Sequence, residues 1–549
     1  MSNPCKDCQD TKCSQIHRDY DPTSCKISNG DPCQECCQMA VLDDRISQVH
    51  AELVDLARKR RLMKMKINHR HEPFIHRLPL EISSNIFTAY VDDIDSAFDV
   101  YNAEGLENWS PALHLSSICV RWRSVARCTA QIWRVIRVPL LRNPINVELL
   151  NELMAELFNL SGQHMLSLGL FQYYYDYEDD YLFHDHIGRL LPLGDLLSIT
   201  RAVTSRCNEI SFRGLPLEQV HDLFWSAHTP NLKKFRILEP YGQFEGCHDR
   251  FLADDISLLL CPQLEEIEIT SATRLLLNLE INWDNITTAK MEGISSINAF
   301  EILLRAPRLK TYKISCQEFQ PPEDGSLWLV LPLDLPLTHT TLESLEFCSH
   351  RHDMGQFFQG VNFPSLKKFE LLAPRFGDIF PVKHLISFFQ RSPCPLTSFS
   401  LSLYSDAIDD DILTLLNALP TLTHLSLMTT EPKSTFTGMS DRFFQELAQR
   451  SSGFPKMVTP RLEAFSYAGP LNFTWPAFLK IFDPPRPRTF IPGGDSPIEH
   501  VRPLRISLWL STQEILTVDD DVLAKLQGIQ ATVNLKIVGL FAGQLTPIV

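Results

Sequence analysis

The chain has 549 residues, 44% of them apolar and 21% charged, which excludes a wholly disordered polypeptide and supplies ample material for a core. A formal charge of −15, from 51 Lys and Arg against 66 Asp and Glu, gives no overall electrostatic reason to bind nucleic acid or an anionic membrane. The opening residues lack the basic and apolar run of a secretory signal, and no stretch approaches the ~20 apolar residues that span a bilayer, so the expectation is an intracellular protein of cytoplasm or nucleus.

Residues 1–38 read as a polar, cysteine-rich tail with too few large apolar groups to build a core, disordered unless a metal organises it. Seven of the 15 cysteines fall here: Cys5, Cys8, Cys13, Cys25, Cys33, Cys36 and Cys37. The rest are scattered through apolar sequence, as free thiols of a reducing compartment would be. Cys5, Cys8, Cys13 and His17 could give zinc four nitrogen and sulfur ligands, and Cys25, Cys33, Cys36 and Cys37 four more, although adjacent cysteines do not readily face one ion. The spacing matches no named zinc-finger pattern, so the expectation is no cofactor, with structural zinc at the N-terminus as the alternative.

From Met39 the texture changes. Leu42, Ile46, Val49, Leu53, Leu56, Met63 and Ile67 recur at steps of three and four, interrupted at Arg60, which predicts an amphipathic helix over 39–70: a short self-associating coiled coil or a helix docked on a neighbour. The basic run Arg58 to Arg61, continued by Lys64 and Lys66, reads as its solvated face, with a nuclear address as the alternative.

Residues 71–140 read as compact helices. Leu78-Pro79 opens the first, since proline is tolerated in a first turn, with Ile82, Ile86 and Phe87 on one face. Residues 92–110 are acidic, contain Gly105 and are assigned to a loop. A second helix from Ala112 carries Leu115, Ile118, Cys119, Trp122 and Val125 on its apolar side, and a short third segment centres on Ile132 and Trp133.

Over residues 141–549 one phrase returns. Pro230-Asn-Leu232-Lys-Lys-Phe235-Arg-Ile237 is matched by phrases beginning at Pro262, Pro307, Pro364, Pro420 and Pro460, with variants at Leu342 and Leu396 and weaker candidates at Met165, Cys207, Val501 and Thr532. Three apolar positions alone recur by chance at roughly 0.09 per window. The proline decides the matter: with 36 prolines in 549 residues, fewer than one of these twelve windows should carry it two places before the leucine, and six do. The apolar-polar-apolar close suits a short strand with one buried face, and the proline turns the chain into it. Helical stretches lie between, at Ala253 to Leu260, Ile297 to Leu304, Val382 to Phe389, Ile412 to Leu419 and Phe443 to Ala448. Strand, loop and helix at such intervals predict an α/β chain built as an irregular solenoid of leucine-rich-repeat type.

The segment Arg77-Leu78-Pro79-Leu80-Glu81-Ile82 through Ile86-Phe87, followed by Cys119-Val120-Arg121-Trp122-Arg123 and Ile132-Trp133, resembles an F-box over residues 74–138. The heptad helix before it and the repeats after it look like the large F-box family of mushroom-forming fungi, from which the insertion of residues 92–110 departs. The resemblance implies a small all-α, three-helix F-box domain. It also implies a non-catalytic substrate-recognition subunit of an SCF-type cullin-RING ubiquitin ligase: the F-box docks on the Skp adaptor and the solenoid holds a protein substrate. Leu78, Pro79, Ile82, Ile86, Phe87, Leu115, Val120 and Trp122 would divide between the F-box core and the adaptor interface. A helical unit of this size is too small to bury so many large apolar groups comfortably, which agrees with a partner surface; the alternative is that the helices cap the solenoid.

Signals for catalysis are missing: no Gly-rich phosphate loop, Gly-x-Ser-x-Gly elbow or His-Glu-x-x-His helix occurs. His69 with His71, and His184 with His186, read as solvated pairs. Tyr173 to Tyr181 is an acidic, aromatic cluster that reads as a surface loop, with substrate contact as the alternative. The substrate-selecting candidates are polar residues on the strands: Lys234, Arg236, Glu266, Glu268, Lys313, Lys368 and Glu370. Their mixed sign specifies no single class of ligand. A ligase-independent scaffold built from the heptad helix and the solenoid is the competing function.

Overall fold

The computed structural model describes residues 34–71, 78–97, 110–140, 147–172, 203–214, 220, 229–238, 256–259, 261–270, 279–316, 336–349, 354–372, 382–402, 409–428, 438–448, 461–482, 505–511, 518–531, 533–541 and 544–547. They fall into two compact units, one drawn from residues up to Ala97 with Ala112–Thr129, the other from 98–111 with 130–549. No helix among the described residues is long and apolar enough to cross a membrane.

The first unit is helical. Helix α1 (Gln34–His71) begins five residues before the seam read from the sequence. Helix α2 spans Leu80–Ala97, and the Pro79 carbonyl accepts its first backbone bond, from the Ser83 N–H at 3.1 Å. It therefore runs six residues into the segment assigned to a loop; residues 98–109 lie outside the described residues.

The single helix read from Ala112 is two: α3 (Pro111–Ile118) and α4 (Val120–Cys128). The break is at Cys119, whose extended backbone (φ −155°, ψ 170°) lets its sulfur accept the Trp122 N–H at 3.4 Å and cap α4. Arg123 Nε donates to the Ser116 carbonyl at 3.0 Å and holds the corner. Phe87, Val91, Leu115, Val125 and Ala126 are buried.

The second unit is built on one sheet of 15 strands, placed side by side in chain order. Their spans are β1 Val135–Leu140, β2 Leu166–Gln172, β3 Cys207–Arg213, β4 Lys234–Leu238, β5 Glu266–Ile269, β6 Thr288–Ile294, β7 Thr311–Cys316, β8 Ser344–Ser349, β9 Lys368–Leu372, β10 Ser398–Ser402, β11 His424–Met428, β12 Ala464–Pro470, β13 Arg505–Ser511, β14 Asn534–Phe541 and β15 Gln544–Pro547. All neighbours are parallel except β14 and β15, an antiparallel pair at one edge. Ile132 and Trp133 occupy a 3₁₀ turn, Ala130–Arg134, that leads into β1, so residues 130–140, read with the helices, lie with the sheet.

The recurring phrase has a physical reading here. Thr229-Pro230-Asn231-Leu232 is a turn closed by the Leu232 N–H on the Thr229 carbonyl at 3.2 Å; Leu264, Leu309, Leu366 and Leu422 close the same turn. Each proline stands at the second turn position, where its fixed φ is already correct. The leucine points inward, and two further apolar residues follow on the strand. In-register stacking then makes two continuous buried rows: Phe235, Ile267, Ala289, Tyr312, Leu345, Phe369, Phe399, Leu425 and Phe465, beside Ile237, Ile269, Met291, Ile314, Phe347, Leu371, Leu401, Leu427 and Tyr467. Since every strand supplies only a sliver of core, the rows are stable only as a stack.

Helices α5 (Val147–Leu160), α6 (Ser296–Arg305), α7 (Met354–Gln359), α8 (Val382–Arg391), α9 (Asp409–Asn417), α10 (Asp441–Ala448), α11 (Trp475–Leu479) and α12 (Asp520–Gln530) connect strands. Phe357, Phe358, Phe363, Phe388 and Phe389 fill the space between α7, α8 and the sheet, with ring centroids 5.0–5.8 Å apart in the contacts Phe358–Phe388, Phe363–Phe388 and Phe388–Phe389. Where a helix was expected over 253–260, Ile256–Ser257 instead pairs in parallel with Leu279–Glu280. Leu337–Thr338 makes a similar short pair with Val361–Asn362.

Candidate functional site

The helical unit divides its apolar residues between core and surface. Of the residues read as partner contacts, Phe87 and Leu115 are buried; Leu78 and Trp122 are half-buried; Pro79, Ile82, Ile86 and Val120 are exposed. Trp122 packs its ring 4.8 Å from Phe87, so it belongs with the core. The Thr129 and Ser84 hydroxyls meet at 2.8 Å and Tyr90 meets His114 Nδ1 at 3.0 Å, joining the helices.

Leu80 and Ile118, which the sequence reading passed over as contact residues, join the exposed set. Leu80, Ile82, Ile86, Ile118 and Val120 are 39–58% exposed. Ile82 and Ile86 lie one turn apart on one face of α2, and Ile118 and Val120 flank the break at Cys119, so the exposed aliphatic groups fall on two stretches of the unit. Ile118 precedes, and the expected contact Val120 follows, the Cys119 cap at which the helix breaks.

In the second unit the strand positions between the buried rows form a polar row. It runs in register through Arg236, Glu268, Lys290, Lys313, Glu346 and Glu370, and continues as Ser400, Ser426, Ser466, Ser507 and Lys536. The charged part neutralises itself. Arg236 lies 3.4 Å from Glu209, 3.2 Å from Glu266 and 3.4 Å from Glu268. Lys234 reaches Glu266 at 3.1 Å, Lys290 reaches Glu268 at 2.7 Å and Glu292 at 3.2 Å, and Lys313 reaches Glu346 at 2.8 Å. Toward β1 the chain of contacts continues: the Ser167 hydroxyl donates to Glu209 at 2.9 Å and accepts from Arg137 at 3.0 Å.

Of the seven substrate candidates, Lys234, Arg236, Glu266 and Glu268 are thus brought together in one network, while Lys313 and Lys368 are exposed and Glu370 is half-buried. Burial raises the Glu370 carboxyl above its usual range, and Glu346 on the next strand raises it further, against the pull of Lys368 and Lys313. Glu209, Lys290, Glu292, Glu346 and the four-serine run are additional residues of this face.

Among the described residues no group of three or more His, Cys, Asp or Glu is placed to hold a metal ion. Cys5, Cys8, Cys13, His17, Cys25 and Cys33, the Tyr173 to Tyr181 cluster, and His184 and His186 lie outside the described residues. Buried Cys207 has its thiol pushed up to about 12 by burial, so it is an inert protonated core group.

No protein-family model matches the chain, and no curated protein matches it. The chain presents two sets of surface groups: exposed aliphatic side chains on the helical unit, and a polar row along the sheet.

Proposed function

We propose that the chain is the substrate-recognition subunit of an SCF-type ubiquitin ligase: the helical unit is an F-box that binds the Skp adaptor, and the sheet unit is a leucine-rich-repeat-like solenoid that binds a protein substrate. The observation that carries the reading is the exposure of Leu80, Ile82, Ile86, Ile118 and Val120 within the segment whose sequence resembles an F-box. Phe87, Leu115 and Val125 of the same unit are buried, so its core does not use these exposed residues, which are left to meet a partner.

The order of parallel strands, each entered through a proline turn, supports the solenoid. On it the charged half of the polar row binds its own opposite charges, which leaves the neutral serine half, with Trp509 and Lys536 beside it, as the better surface for a substrate. Lys536 Nζ sits 4.7 Å from the Trp509 ring centre. The protein makes and breaks no bonds itself; ubiquitin transfer belongs to its partner subunits.

Affinity capture of the full chain from cells with the proteasome blocked tests this. Recovery of the Skp adaptor and a cullin with the chain is the expected result; a capture that lacks both would remove the ligase reading.

A further inference from the structure

We infer that α1 is a dimerisation helix that pairs antiparallel with α1 of a second copy of this chain. The inference does not depend on the ligase reading. Met39, Leu42, Ile46, Val49, Leu53, Leu56, Arg60, Met63 and Ile67 follow one another by alternating steps of three and four, the seam of a two-helix coiled coil. The eight apolar members are 47–65% exposed, and every described side chain of α1 is exposed. The seam is about 42 Å long at 1.5 Å per residue, a row of aliphatic groups that a helix in water does not keep without a cover.

Charge selects the occupant and its direction. From Cys37 to Ala57 the helix carries Asp43, Asp44, Glu52 and Asp55 against Arg45, a net charge of −3; from Arg58 to Ile67 it carries Arg58, Lys59, Arg60, Arg61, Lys64 and Lys66, a net charge of +6. Within the helix Asp55 pairs with Lys59 at 2.7 Å, and Asp44 meets no cation among the described residues but accepts from the neutral Gln48 amide at 2.8 Å. A parallel pair would set six cations against six, with Arg60 facing Arg60 inside the seam. An antiparallel pair sets the acidic half of each helix on the basic half of the other, so a second copy supplies its own complement.

The test is light scattering on the full chain, followed by zero-length carboxyl-to-amine cross-linking of an equal mixture of isotopically light and heavy protein. The expected result is a dimer with mixed-isotope links from Asp43 or Asp44 to Lys59, Lys64 or Lys66. These positions are at least 15 residues apart, so within one helix, or in a parallel pair, about 22 Å or more separates them. The double variant Ile46→Asp/Leu53→Asp should raise the dimer dissociation constant at least about a hundredfold without moving the melting of the rest of the chain, because neither side chain is buried. A wild-type monomer at tens of micromolar, a dimer without those mixed links, or a double variant that dimerises as well as wild type would each overturn the inference.

Discussion

Replacing Arg236 by methionine removes the hub of the charged row while keeping an aliphatic stem in its place. The Arg236 side chain is 13% exposed and faces Glu209, Glu266 and Glu268, themselves 14–26% exposed. At an effective dielectric of 20 each contact is worth roughly 5 kcal/mol before desolvation, and desolvation of the four groups takes back most of that. Breaking a fully buried pair costs about 3–5 kcal/mol because a charge is left without a partner. Here Lys234 and Lys290 still hold Glu266 and Glu268, leaving Glu209 with the Ser167 hydroxyl. The loss should therefore be smaller, about 2 kcal/mol at pH 7. Urea denaturation followed by circular dichroism reads it as a midpoint lowered relative to wild type at pH 7. A loss below about 0.5 kcal/mol at pH 7 would refute the view that this row is a structural network.

Phe388→Ala empties the centre of the aromatic cluster between α7, α8 and the sheet and should cost about 3–5 kcal/mol by the same assay, whereas Leu304→Ala on the exposed face of α6 should change stability by under about 0.5 kcal/mol. The raised Glu370 carboxyl makes the folded state hold its proton more tightly than the unfolded chain does, so ionisation at neutral pH opposes folding. Glu370→Gln should accordingly stabilise the fold at pH 7 by under about 1 kcal/mol after solvent screening, read as a raised thermal midpoint, with the advantage fading as pH falls from the raised range of Glu370 to below the ordinary carboxyl range. At pH 8 a thiolate-selective reagent should modify exposed Cys128 but reach Cys207, held protonated up to about 12, only after unfolding; peptide mapping of the label distinguishes the two.

The strands entered through Pro-x-Leu turns were legible because proline and leucine act locally, in a four-residue turn that needs no knowledge of the neighbouring strand. Strand β6 escaped for the same reason. Ile286, Ala289 and Met291 occupy the three inward positions and are buried, but no proline precedes Ile286 and an alanine fills the middle position. Register with Ile267 and Tyr312, a long-range fact, is what makes it a strand. The core residues of the helical unit were readable from periodicity, while the division into core and surface was not. One cysteine cap at Cys119 decides that Ile118 and Val120 face water and Leu115 does not. Lys and Glu on the strands read individually as free recognition groups. Only the side-by-side strand order shows that Arg236, Glu268 and Lys290 meet one another first.

The most direct test of the central proposal is a calorimetric titration of the full chain with the Skp adaptor, run in parallel on Ile82→Glu/Ile86→Glu. Both positions are exposed, so the variant should melt as wild type does. The proposal predicts one adaptor bound per chain and a loss of at least about 3 kcal/mol of binding in the variant, from placing two carboxylates in an apolar interface. No binding by the wild type, or equal binding by the variant, would contradict it.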